Sequence, residues 1–343
     1  MPHRAFVRLL ACAGLLALTA CTGNTAAPPS GTTGQGGAKV ANDEPGEKVV
    51  IGFSAPAADH GWMAAITNAA KAEAARYSDV ELRLVEGTND VNLQISQVET
   101  FINDKVDAIV LLPFDGAALT PVALKAMKAG IPVINVDREF DSPFAARSTV
   151  LGDNYGMGVS AGTYICERLK GKADAVVAEI AGIDSLPLTQ DRSKGFADAL
   201  RECGLKVANR VAAEFTVESG EKAAANLLQA APRLDAVWNH DDDQGVGVTA
   251  AVKNAGRSEF FLVGGAGSAN VMREIKADNG LHKATVVYPS TQGADGIRLA
   301  RLAVQGKSLG DLVEVEIPRQ IELYAPVVTK DNVDRYLPAA FES

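Results

Sequence analysis

Adjacent acidic and basic side chains mark the end of one predicted strand. Asp137 and Arg138 follow the apolar run 131–136. A carboxylate accepts hydrogen bonds from hydroxyl groups, and a guanidinium donates hydrogen bonds to oxygen atoms. The pair therefore suits the binding of a polyhydroxylated molecule. The alternative is a surface ion pair, which would add little stability.

Aromatic side chains follow two further predicted strands. His60 and Trp62 lie after the strand 49–54, and Tyr288 ends the strand 283–288. The face of an indole can stack on the apolar C–H side of a sugar ring, and a tyrosine offers both a ring and a hydroxyl. The alternatives are a Trp62 packed within its own domain and a His60 exposed in a loop.

The second half of the chain offers comparable positions. The polar loop 184–196 carries Gln190 and Arg192, and the alternative for Arg192 is that it braces that loop. The acidic run 241–243 begins a predicted helix, where the helix dipole favours carboxylates. We expect Asp241 to point inward, and capping or solvation to account for the other two carboxylates.

Short apolar strands alternate with amphipathic helices from Val49 onward, and this order runs over 49–137 and again over 148–288. Continuous apolar strands are typical of parallel sheets covered by helices on both faces. The sequence therefore predicts an α/β fold with two doubly wound parallel-sheet lobes. Ligands bind at the carboxyl ends of such strands, so the polar positions above should meet in an interlobe cleft.

The N-terminus resembles a bacterial lipoprotein signal. Arg4 and Arg8 precede an apolar run too short to span a bilayer, and small residues lead into Cys21. We predict a signal peptide over 1–20, lipidation of Cys21 and an extracytoplasmic protein anchored to the outer face of the cytoplasmic membrane. The alternative is an ordinary signal peptide that contains a cysteine. Residues 21–47 are rich in small and polar residues, which predicts a flexible tether.

Two cysteines remain in the predicted body, Cys166 and Cys203. An even pair in an oxidising compartment favours a disulfide, and two buried free thiols are the alternative.

Composition and motif context argue against several other functions. The net charge is −9 without a Lys/Arg cluster, so we expect no nucleic-acid partner. The G-x-S-x-G spelling at 158–162 lies within a predicted helix, and the Gly-rich run at 245–250 follows three aspartates that would repel a pyrophosphate. Histidines lack zinc-ligand spacing. We expect no enzyme activity, no cofactor, no metal and a monomer.

Several segments together resemble the type I periplasmic sugar-binding proteins, the ribose- and galactose-binding group. The resemblance extends from Lys48 to about Val328 and is most specific over 107–139; the further matching segments are DRSKGF, AVWNHDDDQGVG and FLVGG. It implies two lobes joined by a three-strand hinge. The lobes would comprise 48–152 with 289–315, and 153–288 with 316–343.

The resemblance also implies a ligand site with contributions from both lobes. In the first lobe, Asp137 and Arg138 match the family's Asp-Arg pair. The three residues His60, Trp62 and Met63 take the place of its asparagine and paired aromatics.

In the second lobe, Phe215 falls on the family's aromatic residue and Asp241 on an asparagine of ribose binders. Three departures matter: Gln190 replaces a ligand-binding arginine, Ala266 replaces an aspartate, and Tyr288 replaces the hinge glutamine. They indicate a ligand other than ribose, such as another pentose, a sugar alcohol or a cyclitol.

These inferences predict the solute-binding protein of an ABC importer, which closes its lobes on a small sugar or polyol. The expected partners are a permease and an ATPase, with the membrane reached through the lipid anchor alone. The alternative is a lipoprotein that presents a sugar or signal molecule to a chemoreceptor or sensor kinase.

Overall fold

Two six-stranded sheets organise the residues that the computed structural model describes, 42–309 and 316–343. The predicted signal peptide, Cys21 and the first part of the tether lie outside these residues. Along the chain the elements are β1 (Val49–Ser54), α1 (Gly61–Ala74), β2 (Val80–Leu84), α2 (Val91–Asn103), β3 (Ala108–Leu111), α3 (Gly116–Lys128), β4 (Val133–Val136), β5 (Ser148–Gly152), α4 (Asn154–Arg168), β6 (Val177–Ala181), α5 (Pro187–Glu202), β7 (Val207–Ala212), α6 (Val217–Ala230), β8 (Ala236–Asn239), α7 (Asp242–Asn254), β9 (Phe261–Ala266), α8 (Ala269–Ala277), β10 (His282–Val287), α9 (Gln292–Val304), β11 (Gln320–Leu323), β12 (Val327–Thr329) and α10 (Val333–Tyr336).

The two sheets have matching strand orders. The first lobe has the order β11-β5-β4-β3-β1-β2, and the second has β12-β10-β9-β8-β6-β7. Neighbouring strands are parallel except for β12, which runs antiparallel to β10. The central strands β3, β4 and β8 are buried along their whole length, because helices cover both faces. The predicted pair of doubly wound lobes is confirmed.

The chain passes between the lobes after β5, after β10 and after β11. The last crossing corrects the predicted boundary at 316. Strand β11 pairs with β5, and Gln320 stands opposite Thr149, so this strand belongs to the first sheet. The apolar pattern could not reveal this, because edge-strand pairing is decided by the tertiary structure.

The end of the predicted tether is docked onto the first lobe. Arg301 on α9 is only 1% exposed, and its guanidinium donates to the backbone oxygens of Asn42 (2.5 Å) and Glu44 (2.8 Å). The flexible segment predicted over 21–47 is therefore wrong for 42–47, since Asn42 and Glu44 accept hydrogen bonds from a buried guanidinium that is paired with Asp79.

A disulfide joins two helices of the second lobe. Cys166 on α4 and Cys203 at the end of α5 are bonded, with their Cα atoms 6.0 Å apart. The cross-link holds together the helix pair whose N-terminal ends face the cleft.

Candidate functional site

A cavity of about 180 Å³ lies between the lobes at the carboxyl ends of their strands. His60, Met63 and Arg138 line it from the first lobe, and Glu214 and Phe215 line it from the second. A second cavity of about 160 Å³ lies beyond Arg138, which borders both spaces. Four of the residues singled out in the sequence, His60, Met63, Arg138 and Phe215, thus meet between the lobes, where this architecture is expected to bind a ligand.

The end of β4 supplies the main polar group of the cavity. Arg138 is 8% exposed, and its Nη1 donates to the carbonyl oxygen of Phe114 at 2.7 Å. Its Nε is buried and has no hydrogen-bond partner among the described residues. Burial lowers the pKa of Arg138, while the carboxylate of Asp137 opposes this effect. A buried donor without a partner is costly, so the guanidinium beside the two cavities retains hydrogen-bonding capacity that no described residue satisfies.

Asp137 adopts a left-handed backbone conformation, with φ of 65°. Its Oδ1 accepts a hydrogen bond of 2.6 Å from the Tyr288 hydroxyl, and its Oδ2 lies 3.8 Å from Arg138 Nε. Burial raises the pKa of Tyr288, and the Asp137 carboxylate raises it further. The hydroxyl therefore stays protonated and remains a donor.

The N-terminal end of α1 brings three predicted residues to the cleft. Trp62 and Met63 are buried, and the indole Nε1 of Trp62 donates to the Tyr288 carbonyl at 3.0 Å. His60 Nδ1 lies 2.6 Å from an Asp59 carboxylate oxygen. Burial alone would lower the pKa of His60, but this hydrogen bond and the nearby carboxylate of Asp241 raise it overall.

Two side chains of α5 point in different directions. Gln190 is exposed and donates to the Asp184 carbonyl at 3.1 Å, so the structure does not bring it to the cavity. Arg192 is buried instead, with its guanidinium carbon 4.4 Å from the Tyr288 ring centroid and 5.9 Å from that of Phe215. Successive helical residues face different sides of a helix, which places Arg192 inward.

Asn154 is a cleft residue that the sequence analysis missed. Its Oδ1 accepts from Arg192 Nε at 2.9 Å, and its Nδ2 donates to the Tyr288 hydroxyl at 3.2 Å. The available signal was its position two residues after the end of β5, which follows the same strand-end rule as Asp137.

All three carboxylates after β8 are buried, so the predicted solvation is wrong. Asp241 caps α7, and its Oδ1 accepts from the backbone of Asp243 and Gln244. Burial raises the pKa of Asp241 to about 7. Asp243 makes a direct interlobe bond, because its Oδ2 accepts from the Gly61 amide at 2.9 Å.

The enzyme-like motifs lie in helices. Ser160 belongs to α4 and donates to the Ala325 carbonyl at 3.0 Å, and the Gly-rich run 245–250 lies inside α7. Neither motif therefore has the strand-to-helix turn that its chemistry requires. Over 42–309 and 316–343 there is also no group of three or more metal-ligating side chains.

Comparison with known proteins decides the family. Residues 51–308 match the family model described as a periplasmic binding protein domain. The chain belongs to this family. The binding protein is 30% identical over 230 residues to a D-ribose/D-allose-binding protein of Pseudomonas aeruginosa, covering 65% of this chain and 71% of that protein. It is 29% identical over 265 residues to a xylitol-binding protein of Mycolicibacterium smegmatis, covering 76% and 72%.

A solved structure agrees with this assignment. An ABC transporter solute-binding protein from Bacillus halodurans with bound myo-inositol superposes with a TM-score of 0.75 at 25% identity, covering 85% of this chain and 98% of that chain. The predicted type I periplasmic sugar-binding family is confirmed, and the binding protein is a solute-binding component of the ABC importer type. Its relatives are binding proteins rather than enzymes.

Proposed function

We propose that the binding protein captures a small sugar or polyol between its lobes without chemical conversion. The observation that carries the proposal is a cavity that both lobes line and that the buried Arg138 borders, whose Nε has no hydrogen-bond partner among the described residues. Ligand contacts would come from His60, Met63 and Arg138 in the first lobe and Phe215 in the second. A ligand that touches both lobes only in the closed form would shift the population toward closure.

Four further residues would shape this site without being proposed as ligand contacts: Trp62, Asp137, Asp241 and Tyr288. Asp137 and Tyr288 bind each other, and Trp62 binds the backbone of Tyr288. Named relatives bind ribose or allose, xylitol and myo-inositol, which supports a neutral polyhydroxylated ligand.

A thermal-shift screen over pentoses, hexoses, sugar alcohols and cyclitols tests the proposal. A ligand that binds only the folded protein stabilises it by about 2.7 kcal/mol at a hundredfold excess over its Kd. We expect at least one member to raise the Tm, with a matching heat in calorimetry. A panel without any shift or heat would exclude the proposed ligand class.

We further propose that the protein is a lipoprotein anchored through Cys21 and delivers ligand to a permease driven by an ATPase. None of the helices within 42–309 and 316–343 is long and apolar enough to cross a membrane. In cells that process lipoproteins, the protein should partition into the detergent phase of a Triton extraction, and Cys21→Ser should move it to the aqueous phase. Equal partitioning of the two forms would refute the anchor.

A further inference from the structure

The N-terminal end of α1 has no capping side chain of its own. His60 occupies the N-cap position without a side-chain hydrogen bond to the helix, and the first turn contains no acidic residue. Six other helices, α2, α3, α4, α6, α7 and α8, are each capped by the side chain directly before them: Asp90, Asp115, Asp153, Thr216, Asp241 and Ser268. The first amides of α1 are therefore available to an acceptor from elsewhere in the molecule.

That acceptor comes from the second lobe. Asp243 is 4% exposed, and its Oδ2 accepts the hydrogen bond of the Gly61 amide at 2.9 Å. The cap of α7 itself is made by Asp241, whose Oδ1 accepts from the amides of Asp243 and Gln244, so the Asp243 carboxylate is not used there. A carboxylate at a helix N-terminus is favoured by the hydrogen bond and by the helix dipole. Helix α1 is thus capped across the cleft.

The glycine at the start of α1 permits this close contact. A Cβ atom at Gly61 would lie 3.1 Å from Asp243 Oδ2 and 2.7 Å from the Glu342 carbonyl oxygen. Glu342 also belongs to the second lobe, since the neighbouring Phe341 pairs with Ser268 at the start of α8. Any other residue at position 61 would therefore oppose the approach of the second lobe to this helix end.

The two partners of this bond lie beside the proposed ligand site without forming it. Gly61 and Asp243 line neither the cavity of about 180 Å³ nor that of about 160 Å³, whereas His60 and Met63 on either side of Gly61 line the first. The bond therefore joins the lobes through protein groups alone. Its free energy favours the closed form regardless of which ligand is bound.

We infer, resting on the function proposed above, that Asp243 is an interlobe latch, which caps α1 in the closed form, releases it in the open form and raises the affinity for every ligand by the same factor. The apparent Kd equals the Kd of the closed form divided by the fraction of free protein that is closed. Loss of the latch lowers that fraction and leaves the ligand contacts in place. Asp243 is thus a positioning residue, because it binds the helix end that carries His60 and Met63.

The test measures Kd by calorimetry and the dissociation rate by stopped flow, for two ligands of the screened panel that differ in their hydroxyl pattern. Asp243→Ala should weaken both by about tenfold, or about 1.4 kcal/mol, with equal factors and faster dissociation, because the latch opposes opening. Gly61→Ala should also weaken both, although alanine favours a helix, because its methyl group opposes closure. Asp243→Asn keeps a capping oxygen, so its Kd values should stay within about threefold of the wild type.

Asp90→Ala is the matched control. Asp90 caps α2 within the first lobe, so its loss removes a cap without touching the interlobe contact and should leave both Kd values unchanged. Wild-type Kd values and dissociation rates in a folded Asp243→Ala would overturn the inference, and Gly61→Ala decides in the same way if Asp243→Ala does not fold. Unequal factors for the two ligands would also overturn it, because they would make Asp243 a ligand contact. Absence of binding to the whole panel would instead defeat the proposed function and the inference together.

Discussion

The ends of β4 and β9 are equivalent positions in the two lobes, yet they carry different chemistry. Each is the fourth strand of its lobe, and each ends in a left-handed residue: Asp137 with φ of 65° and Ala266 with φ of 77°. The first end carries a carboxylate and places Arg138 in the cavity. The second carries only a methyl group.

The end of β9 is held by a group from another loop. The Asp242 carboxylate accepts from the Gly267 amide at 3.1 Å, the Ser268 amide at 2.6 Å and the Thr285 hydroxyl at 3.0 Å. The fold thus imposes the same turn twice. In the first lobe its side chains are available to the cleft, whereas in the second a buried carboxylate stabilises the turn.

The largest expected effect is on stability, and it comes from removing the Asp242 carboxylate that accepts hydrogen bonds at the end of β9. Asp242→Ala should lower the free energy of unfolding by about 3 kcal/mol, because three buried donors lose their acceptor and each unsatisfied group costs about 1–3 kcal/mol. Urea denaturation measures the change. Asp334→Ala, at a carboxylate with 78% side-chain exposure, serves as the control. A decrease of less than about 1 kcal/mol in the free energy of unfolding would show that the turn after β9 is stable without the Asp242 carboxylate.

A substitution at the end of β4 should change ligand affinity rather than stability. Arg138→Ala should weaken ligand binding at least tenfold, about 1.4 kcal/mol, because the guanidinium that borders the cavity is lost. Arg83→Ala, at an exposed ion pair of the first lobe, should leave the Kd unchanged in the same calorimetric titration. Unchanged affinity in Arg138→Ala would remove the end of β4 from the site.

The acidic loop after β8 should also make stability depend on pH. Burial raises the pKa of Asp241 to about 7 from its ordinary value of 3.8, so the folded state binds the proton more tightly than the unfolded state. Stability is therefore lost as pH rises through this window, by at most about 1.4 kcal/mol per pH unit. His60, whose pKa is also raised, acts in the same direction.

Asp241→Asn removes this contribution together with the part of the His60 shift that Asp241 causes. An asparagine can still cap α7, and the opposing effect of buried His240, whose pKa is lowered to about 4, is common to both proteins. Urea denaturation at pH 5, 6 and 7 should show a steeper decline for the wild type. Parallel curves would contradict an elevated pKa at Asp241.

The smallest effect concerns the left-handed alanine itself. Ala266→Gly should raise the free energy of unfolding by about 1 kcal/mol, because glycine adopts positive φ without the steric penalty of a Cβ atom. Ala69→Gly, in the interior of helix α1, should instead destabilise by about 1 kcal/mol. A destabilised Ala266→Gly would show that the methyl group contributes more packing energy than the backbone costs.

The sequence predicted much of the candidate site because strand ends can be located from apolar runs. His60, Trp62, Met63, Asp137, Arg138, Phe215 and Tyr288 all lie at or beside the interlobe space. Gln190 was wrong as a cavity residue, because a shift of two positions on a helix turns a side chain to another face. The contact between Tyr288 and Asp137 joins residues 151 positions apart, and no local pattern encodes it.

The sequence by itself determined the alternation of strands and helices, the two lobes and the edge of each sheet that carries polar side chains. These follow from local periodicity and from the chirality of parallel crossovers. The tertiary structure alone decided that the Tyr288 hydroxyl binds Asp137, that Arg138 Nε has no hydrogen-bond partner within 42–309 and 316–343, and that 42–47 docks on Arg301. Such outcomes depend on burial and on distances between remote segments, which exist only once both lobes have packed.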